Sequence, residues 1–150
     1  MKVIILAGGW GTRLGRRTEV IPKPMVSIGN RPMLWHIMKI YSHYGILDFV
    51  ICLGYEGYLI KEYFANYSLH TADVTIDLSD NSTITHQCVS EPWRVTLVDT
   101  GEDVMTGGRL RNIAHHLDDE PFCFTYGDGV AAIDIGALIE HHTEQGNLAT

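Results

Sequence analysis

The sequence predicts an α/β fold, a mostly parallel sheet covered by helices on both faces. Short continuous apolar runs, Val3 to Leu6 and Phe49 to Leu53, stop at glycines as strands buried on both faces do. Between them lie segments whose apolar residues recur at helical spacing. A chain of 150 residues with 45% hydrophobic content can fill one core, so a single domain spanning 1–150 is expected.

The first strand, Val3 to Leu6, ends at Gly8 and Gly9 and belongs at the centre of the sheet. Leu34, Ile37, Met38 and Tyr41 behind Pro32, with Gly45 after them, predict a helix from Pro32 to Tyr44. Phe49 to Leu53 is a second buried strand. Leu59, Ile60, Tyr63 and Phe64 mark a second helix that ends near Asn66 or Tyr67. From Asp73 to Asp99 the pattern alternates, with a turn at Asp80-Asn81-Ser82 and a further strand from Arg94 to Val98, which predicts an antiparallel excursion. A helix follows Thr106-Gly107-Gly108 and runs through Leu117. Phe122 to Tyr126 is the next strand, and a last helix covers about Asp134 to Gln145.

Composition excludes several classes of function. Lys plus Arg number 11 against 18 Asp plus Glu, a net charge of −7 that repels duplex phosphates and anionic lipid. No binding to nucleic acid or membrane is expected. No apolar run approaches the roughly 18–20 residues that cross a bilayer, and no small-residue cleavage site follows the first apolar run. Cys52, Cys88 and Cys123 are odd in number, far apart and flanked by apolar or β-branched residues, which predicts buried thiols in a reducing cytoplasm.

A parallel sheet binds ligands beyond the carboxyl ends of its strands, so loops that follow strands draw attention. Leu6-Ala7-Gly8-Gly9-Trp10-Gly11-Thr12-Arg13-Leu14 follows the first. Its glycines let the backbone approach an anion, and Arg13 adds a guanidinium fork suited to phosphate. It is neither a Walker A loop, lacking Gly-Lys-Ser/Thr, nor the dinucleotide fingerprint, because Leu14 occupies the third glycine position. A tight turn with a surface arginine is the alternative. Pro22-Lys23-Pro24 presents an ammonium from a stiff extended segment, or is simply an exposed loop. Asp128, between Gly127 and Gly129 at a strand's end, is placed to hold Mg²⁺ against phosphates or to make an Asp-Gly turn. Thr106-Gly107-Gly108-Arg109 either seats an anion at a helix start or begins a helix capped by Thr106.

Other motifs mislead. Leu97-Val98-Asp99-Thr100-Gly101 has the local sequence of an aspartic protease, but an α/β chain is the wrong architecture and Asp99 reads as a strand-end turn residue. Eight histidines suggest metal, yet His115-His116 and His141-His142 are sequential and point to different helix faces, so a zinc site is not expected. No cysteine stands beside a basic cluster, which leaves cysteine catalysis unsupported.

Taken together, Gly8 to Leu14 and Pro22-Lys23-Pro24 resemble the sugar nucleotidyltransferases, whose signature is Gly-Gly-x-Gly-Thr-Arg-Leu followed by a Lys-Pro motif. The stretches Trp35 to Ser42, Lys61 to Tyr67, Glu91-Pro92-Trp93, Met105 to Leu110 and Phe124 to Gly129 are similar to the branch of that family that uses CTP and glucose 1-phosphate. The resemblance implies a Rossmann-like sheet of the nucleotide-diphospho-sugar transferase type. It also implies Mg²⁺-dependent formation of CDP-glucose and pyrophosphate, for cell-surface polysaccharide. By the same resemblance Leu6, Ala7, Gly8, Gly9, Trp10, Gly11, Thr12 and Arg13 wrap the nucleotide, and Arg13 and Lys23 meet its phosphates. Thr106, Arg109 and Gly127 then lie at the nucleotide site and Asp128 binds the metal. Trp10 stands where relatives carry a smaller apolar residue, and Ile21 where they commonly carry lysine. Family chains are longer, and their further part carries a Glu-Lys-Pro sugar-phosphate motif and a second metal-binding aspartate. The chain is therefore expected to be the N-terminal nucleotide-binding part of one domain, with uncovered edges that favour a homo-oligomer.

Overall fold

In the computed structural model, which describes residues 1–9, 21–87 and 90–150, β1 (Val3–Ala7) is buried along its whole length. It pairs in parallel with β4 (Asp48–Leu53) on one side and with β8 (Cys123–Tyr126) on the other. Beyond β4 lies β7 (Arg94–Asp99), also parallel, giving a four-stranded sheet in the order β7-β4-β1-β8. The chain thus builds outward from β1 through β4 to β7, then returns to the far side of β1. The switch point of this Rossmann-like order falls between β1 and β8, where such sheets bind ligands.

Alternation along the strands feeds two cores. Val3, Ile5 and Ala7 join Phe49, Ile51 and Leu53 on the face covered by α1 (Met33–His43), α2 (Gly57–Ala65) and α4 (Ile135–Gln145). On the other face Ile4, Leu6, Val50 and Cys52 pack with Ile113 and Leu110 at α3 (Thr106–Asn112). Helices therefore cover both faces, as the sequence predicts. In α1, Leu34, Ile37, Met38 and Tyr41 form the buried stripe. Pro32 caps α1 from outside with extended backbone, and Gly45 at φ +79° closes it. The Gly45 N–H donates to Ser42 O (3.0 Å) and the Ile46 N–H to Tyr41 O (3.2 Å). At α4 the Asp134 side chain accepts the Ala137 N–H at 3.0 Å, a side-chain N-cap.

The excursion between Asp73 and Asp99 divides in two. β5 (Asp73–Asp77) and β6 (Ser82–His86) form the antiparallel hairpin, turning through Asn81 at φ 57°. β7, expected to share that antiparallel pairing, instead runs parallel with β4. Its alternation reflects an edge strand that is half-buried on each face: Val95 and Leu97 reach one core and Val98 the other. The helix predicted through Leu117 ends at Asn112, and Ala114–His116 forms a separate 3₁₀ turn. There the chain leaves the α-helical path, and the His115 and His116 rings lie 4.0 Å apart rather than on different faces. Cys52 is buried, Cys123 only half-buried, and Cys88 lies outside the described residues. Among the described residues no helix is long and apolar enough to cross a membrane.

A two-residue ladder, β2 (Ser27–Ile28) with β3 (Arg31–Pro32), carries the chain from Lys23 into α1. Phe49 is fully buried and meets the Trp93 ring edge-on at 5.8 Å. Phe49→Ala is expected to lower the unfolding free energy by about 3–5 kcal/mol in a urea titration. Ile84→Ala, on the exposed hairpin, should change it by no more than about 0.5 kcal/mol.

Candidate functional site

At the carboxyl ends of the parallel strands a cleft of about 530 Å³ opens at the switch point. Leu6, Ala7, Gly8 and Gly9 form one wall as they leave β1; Lys23 and Asp128 reach the cleft from turns, and Thr106 and Arg109 from α3. Topology thus gathers residues far apart in sequence. Trp10, Gly11, Thr12 and Arg13 lie outside the described residues.

Lys23 does not sit on extended chain as predicted. Lys23–Met25 forms a 3₁₀ turn, with the Met25 N–H donating to Pro22 O (2.8 Å) and the Val26 N–H to Lys23 O (3.0 Å). Pro24 suits this first turn because the N–H it lacks would have no partner there. Lys23 Nζ stands 3.5 Å from Asp128 Oδ2, with the two side chains 19% and 45% exposed. Gly127 makes that approach feasible. Its N–H donates to Leu6 O at 2.8 Å, and a Cβ on it would fall 3.0 Å from both that oxygen and Pro24 Cγ. Gly127 therefore acts as a spacer where β1, β8 and the Lys23 turn converge, and it does not itself line the cleft.

Arg109 lines the cleft, but its guanidinium does not stand free in it. It is 5% exposed and its guanidinium is spent on the protein: Nη1 donates to Leu53 O (2.8 Å) and Thr100 Oγ1 (2.6 Å). Nη2 donates to Gly8 O (2.9 Å) and Glu102 O (3.1 Å). Thr106 is the first residue of α3 rather than its cap; Met105 holds the cap position, without a side-chain hydrogen bond. Asp99 is the strand-end turn residue that the sequence suggests, its Oδ1 accepting the Gly101 N–H at 3.0 Å. Burial pushes the Cys52 thiol up to about 11, against a smaller opposing pull from Arg109, so it stays protonated near neutrality.

Sequence reasoning missed Glu102 and Asp103, which line the cleft, and Thr100, which is 2% exposed and bridges Leu53 O to Arg109. Reading β7 as parallel would have found them, since its following loop then falls at the ligand edge. Among the described residues no three His, Cys, Asp or Glu side chains come together around a metal position. Asp128 stands on the cleft beside Lys23, and Glu102 and Asp103 line the cleft as well. A carboxylate there suits Mg²⁺, which takes only one or two protein carboxylates when phosphates supply further oxygens.

The parallel strand order, the cleft at its switch point and the glycine turns define an open α/β protein of Rossmann-like topology. The model for the Nucleotidyl transferase family matches residues 2–150, and the chain belongs to that family. It is 60% identical over its full length to the glucose-1-phosphate cytidylyltransferase of Salmonella typhimurium, and 45% identical to a probable glucose-1-phosphate cytidylyltransferase of Bacillus subtilis. The chain spans 59% of the length of each. Among solved structures, HddC from Yersinia pseudotuberculosis complexed with GMP-PN is similar at a TM-score of 0.68 and 26% identity, over 94% of this chain and 53% of that one. A UDP-glucose pyrophosphorylase complexed with UDP-glucose shares the fold at a TM-score of 0.68 and 16% identity, over 97% and 54% of the two chains.

The packing of Gly127 yields a test. Gly127→Ala should cost about 1–3 kcal/mol of stability by chemical denaturation, because backbone cannot yield as a flexible side chain can. Gly129→Ala, with open space around it, should be close to neutral.

Proposed function

We propose that the chain forms the nucleotide end of a sugar-1-phosphate cytidylyltransferase, which joins CTP and glucose 1-phosphate into CDP-glucose and releases pyrophosphate. The observation that carries this reading is the meeting of Lys23 and Asp128 at 3.5 Å over the cleft beside Gly8 and Gly9. A cation and a carboxylate, each brought by its own loop to the switch point of a parallel sheet, suit a metal-bound polyphosphate. The choice of cytosine and glucose rests on the 60% identity to the Salmonella enzyme.

The reaction is attack of a sugar-phosphate oxygen on the α-phosphorus, with pyrophosphate leaving in line. It asks the protein mainly for positioning and charge neutralisation. Lys23 and Arg13 are assigned to the phosphates, and Thr106 to the cleft wall. Asp128 would hold Mg²⁺, which neutralises charge on the triphosphate when bound. The backbone of Gly8 and Gly9 offers close approach without side-chain bulk. The net charge of −7 does not oppose this, because a small ligand responds to the cations beside it, here Arg13 and Lys23, more than to the sum over the chain. A reducing cytoplasm suits the buried Cys52. Self-association suits β8, an edge strand whose Phe124 and Tyr126 are exposed. A second reading, nucleotide binding without turnover, makes the same use of the Gly8–Gly9 wall, Lys23 and Asp128.

Pyrophosphate release from CTP, glucose 1-phosphate and Mg²⁺ tests the first reading. Absence of release with CTP binding retained in calorimetry would leave the second, and preference for UTP or dTTP in competition would reassign the base. Lys23→Ala and Arg13→Ala should each weaken CTP binding about ten- to a hundredfold, the worth of one charge-assisted hydrogen bond. Asp128→Asn should remove the Mg²⁺ dependence of binding; its persistence would overturn the metal assignment.

A further inference from the structure

Arg109 and Thr100 are the buried polar side chains among the described residues, at 5% and 2% exposure. Taking a guanidinium out of water costs several kcal/mol unless its N–H groups are answered. Here the answer comes from main chain and one hydroxyl: Gly8 O after β1, Leu53 O at the end of β4, and Thr100 Oγ1 and Glu102 O after β7. One side chain therefore ties the carboxyl ends of three adjacent strands. Room for it comes from glycine. A Cβ on Gly8 would overlap the guanidinium, and a Cβ on Gly54 would fall 2.9 Å from Nη1 and 2.7 Å from Gly8 O.

We propose that Arg109 is a positioning residue of the nucleotide site: it holds the Gly8 carbonyl inward, so that the Gly8–Gly9 peptide presents its N–H outward as a donor for phosphate. The proposal rests on the nucleotide reading above for its ligand, though not for its geometry. In a trans peptide the N–H points opposite to the C=O, so a carbonyl fixed on Arg109 turns the Gly9 N–H off the guanidinium. Gly9 is exposed and lines the cleft, and among the described residues none would touch a Cβ placed on it. Release of Gly8 O would let this peptide rotate and aim an oxygen lone pair at an anion. It follows that position 8 is glycine because of Arg109, whereas position 9 faces the ligand.

The test is a double-mutant cycle on the 150-residue chain, read both as thermal midpoint and as affinity for CTP and for inorganic tripolyphosphate. Gly8→Ala should lower the midpoint by several degrees with Arg109 present and lose most of that effect beside Arg109→Met. Gly54→Ala should stay costly in both backgrounds, because its added carbon meets the Gly8 carbonyl. Gly9→Ala should leave the midpoint unchanged. At a temperature where circular dichroism shows each variant folded, Arg109→Met should raise the dissociation constants for CTP and tripolyphosphate at least tenfold, and Arg109→Lys by less. Equal cost of Gly8→Ala in both backgrounds, or unchanged affinities in folded Arg109→Met, would overturn the proposal. If Arg109→Met does not fold, Arg109→Lys, which keeps the charge but lacks the second nitrogen, decides by the same criteria. If the unsubstituted chain binds neither CTP nor tripolyphosphate, the nucleotide reading fails, and the midpoint cycle still decides whether Arg109 dictates the glycine.

Discussion

β1 has neither an exposed face nor an exposed edge, and that constraint organises the molecule. Five apolar residues can lie in the interior only if their amides and carbonyls are all paired. Parallel neighbours on both sides satisfy them, but parallel strands need crossovers, and α1 and α3 with their flanking turns supply these. Because β4 and β7 are laid on one side of β1 before β8 arrives on the other, the switch point falls between β1 and β8, and the cleft opens there. A substitution that weakens the core under β1 would therefore act on the cleft as well, since its floor is the end of that strand.

Electrostatics in the cleft follow from the same layout. Arg109 carries a full positive charge, yet its guanidinium is held by carbonyl oxygens beneath the loops. It contributes order more than a free charge. Lys23 is the cation of the described cleft residues that is partly open to solvent, and it is held near Asp128 rather than directed freely outward. Glu102 and Asp103, which also line the cleft, add negative charge. Among the described cleft residues three carboxylates, Glu102, Asp103 and Asp128, thus stand against Lys23 and the carbonyl-bound Arg109.

Much of this was legible in the sequence because glycine and apolar runs speak about buried strands directly. Val3 to Leu6 and Phe49 to Leu53 have few other uses, and Leu34 to Tyr41 can bury a stripe only as a helix. β7 was misread in direction because pairing direction is not written in an edge strand's alternation; it depends on which neighbour it finds. Glu102, Asp103 and Thr100 were lost with it, since their relevance comes only from lying at the carboxyl end of a parallel strand. Arg109 shows a different limit. An arginine after two glycines looks the same in sequence whether it faces a phosphate or a ring of carbonyls. Only the positions of Gly8, Leu53 and Thr100, contributed by three other segments, separate the two.

The glycines of the two loops therefore do not share one cause. Gly8 is crowded by a side chain of its own protein and Gly127 by backbone and a proline ring, whereas among the described residues nothing would touch a Cβ on Gly9 or Gly129. Crowded glycines are fixed by the fold before any ligand arrives; open ones are constrained, if at all, by what enters the cleft. In each loop a crowded glycine directly follows the strand and an open one lies beyond it, next to the chemistry-bearing position. This ordering is what a strand-end binding loop requires. The inner residue must let the sheet's last layer close tightly, so that the outer residue is presented at a fixed height above it. Lys23 and Asp128 meet because Gly127 allows that closure, and Gly9 is presented because Arg109 completes it on the other side.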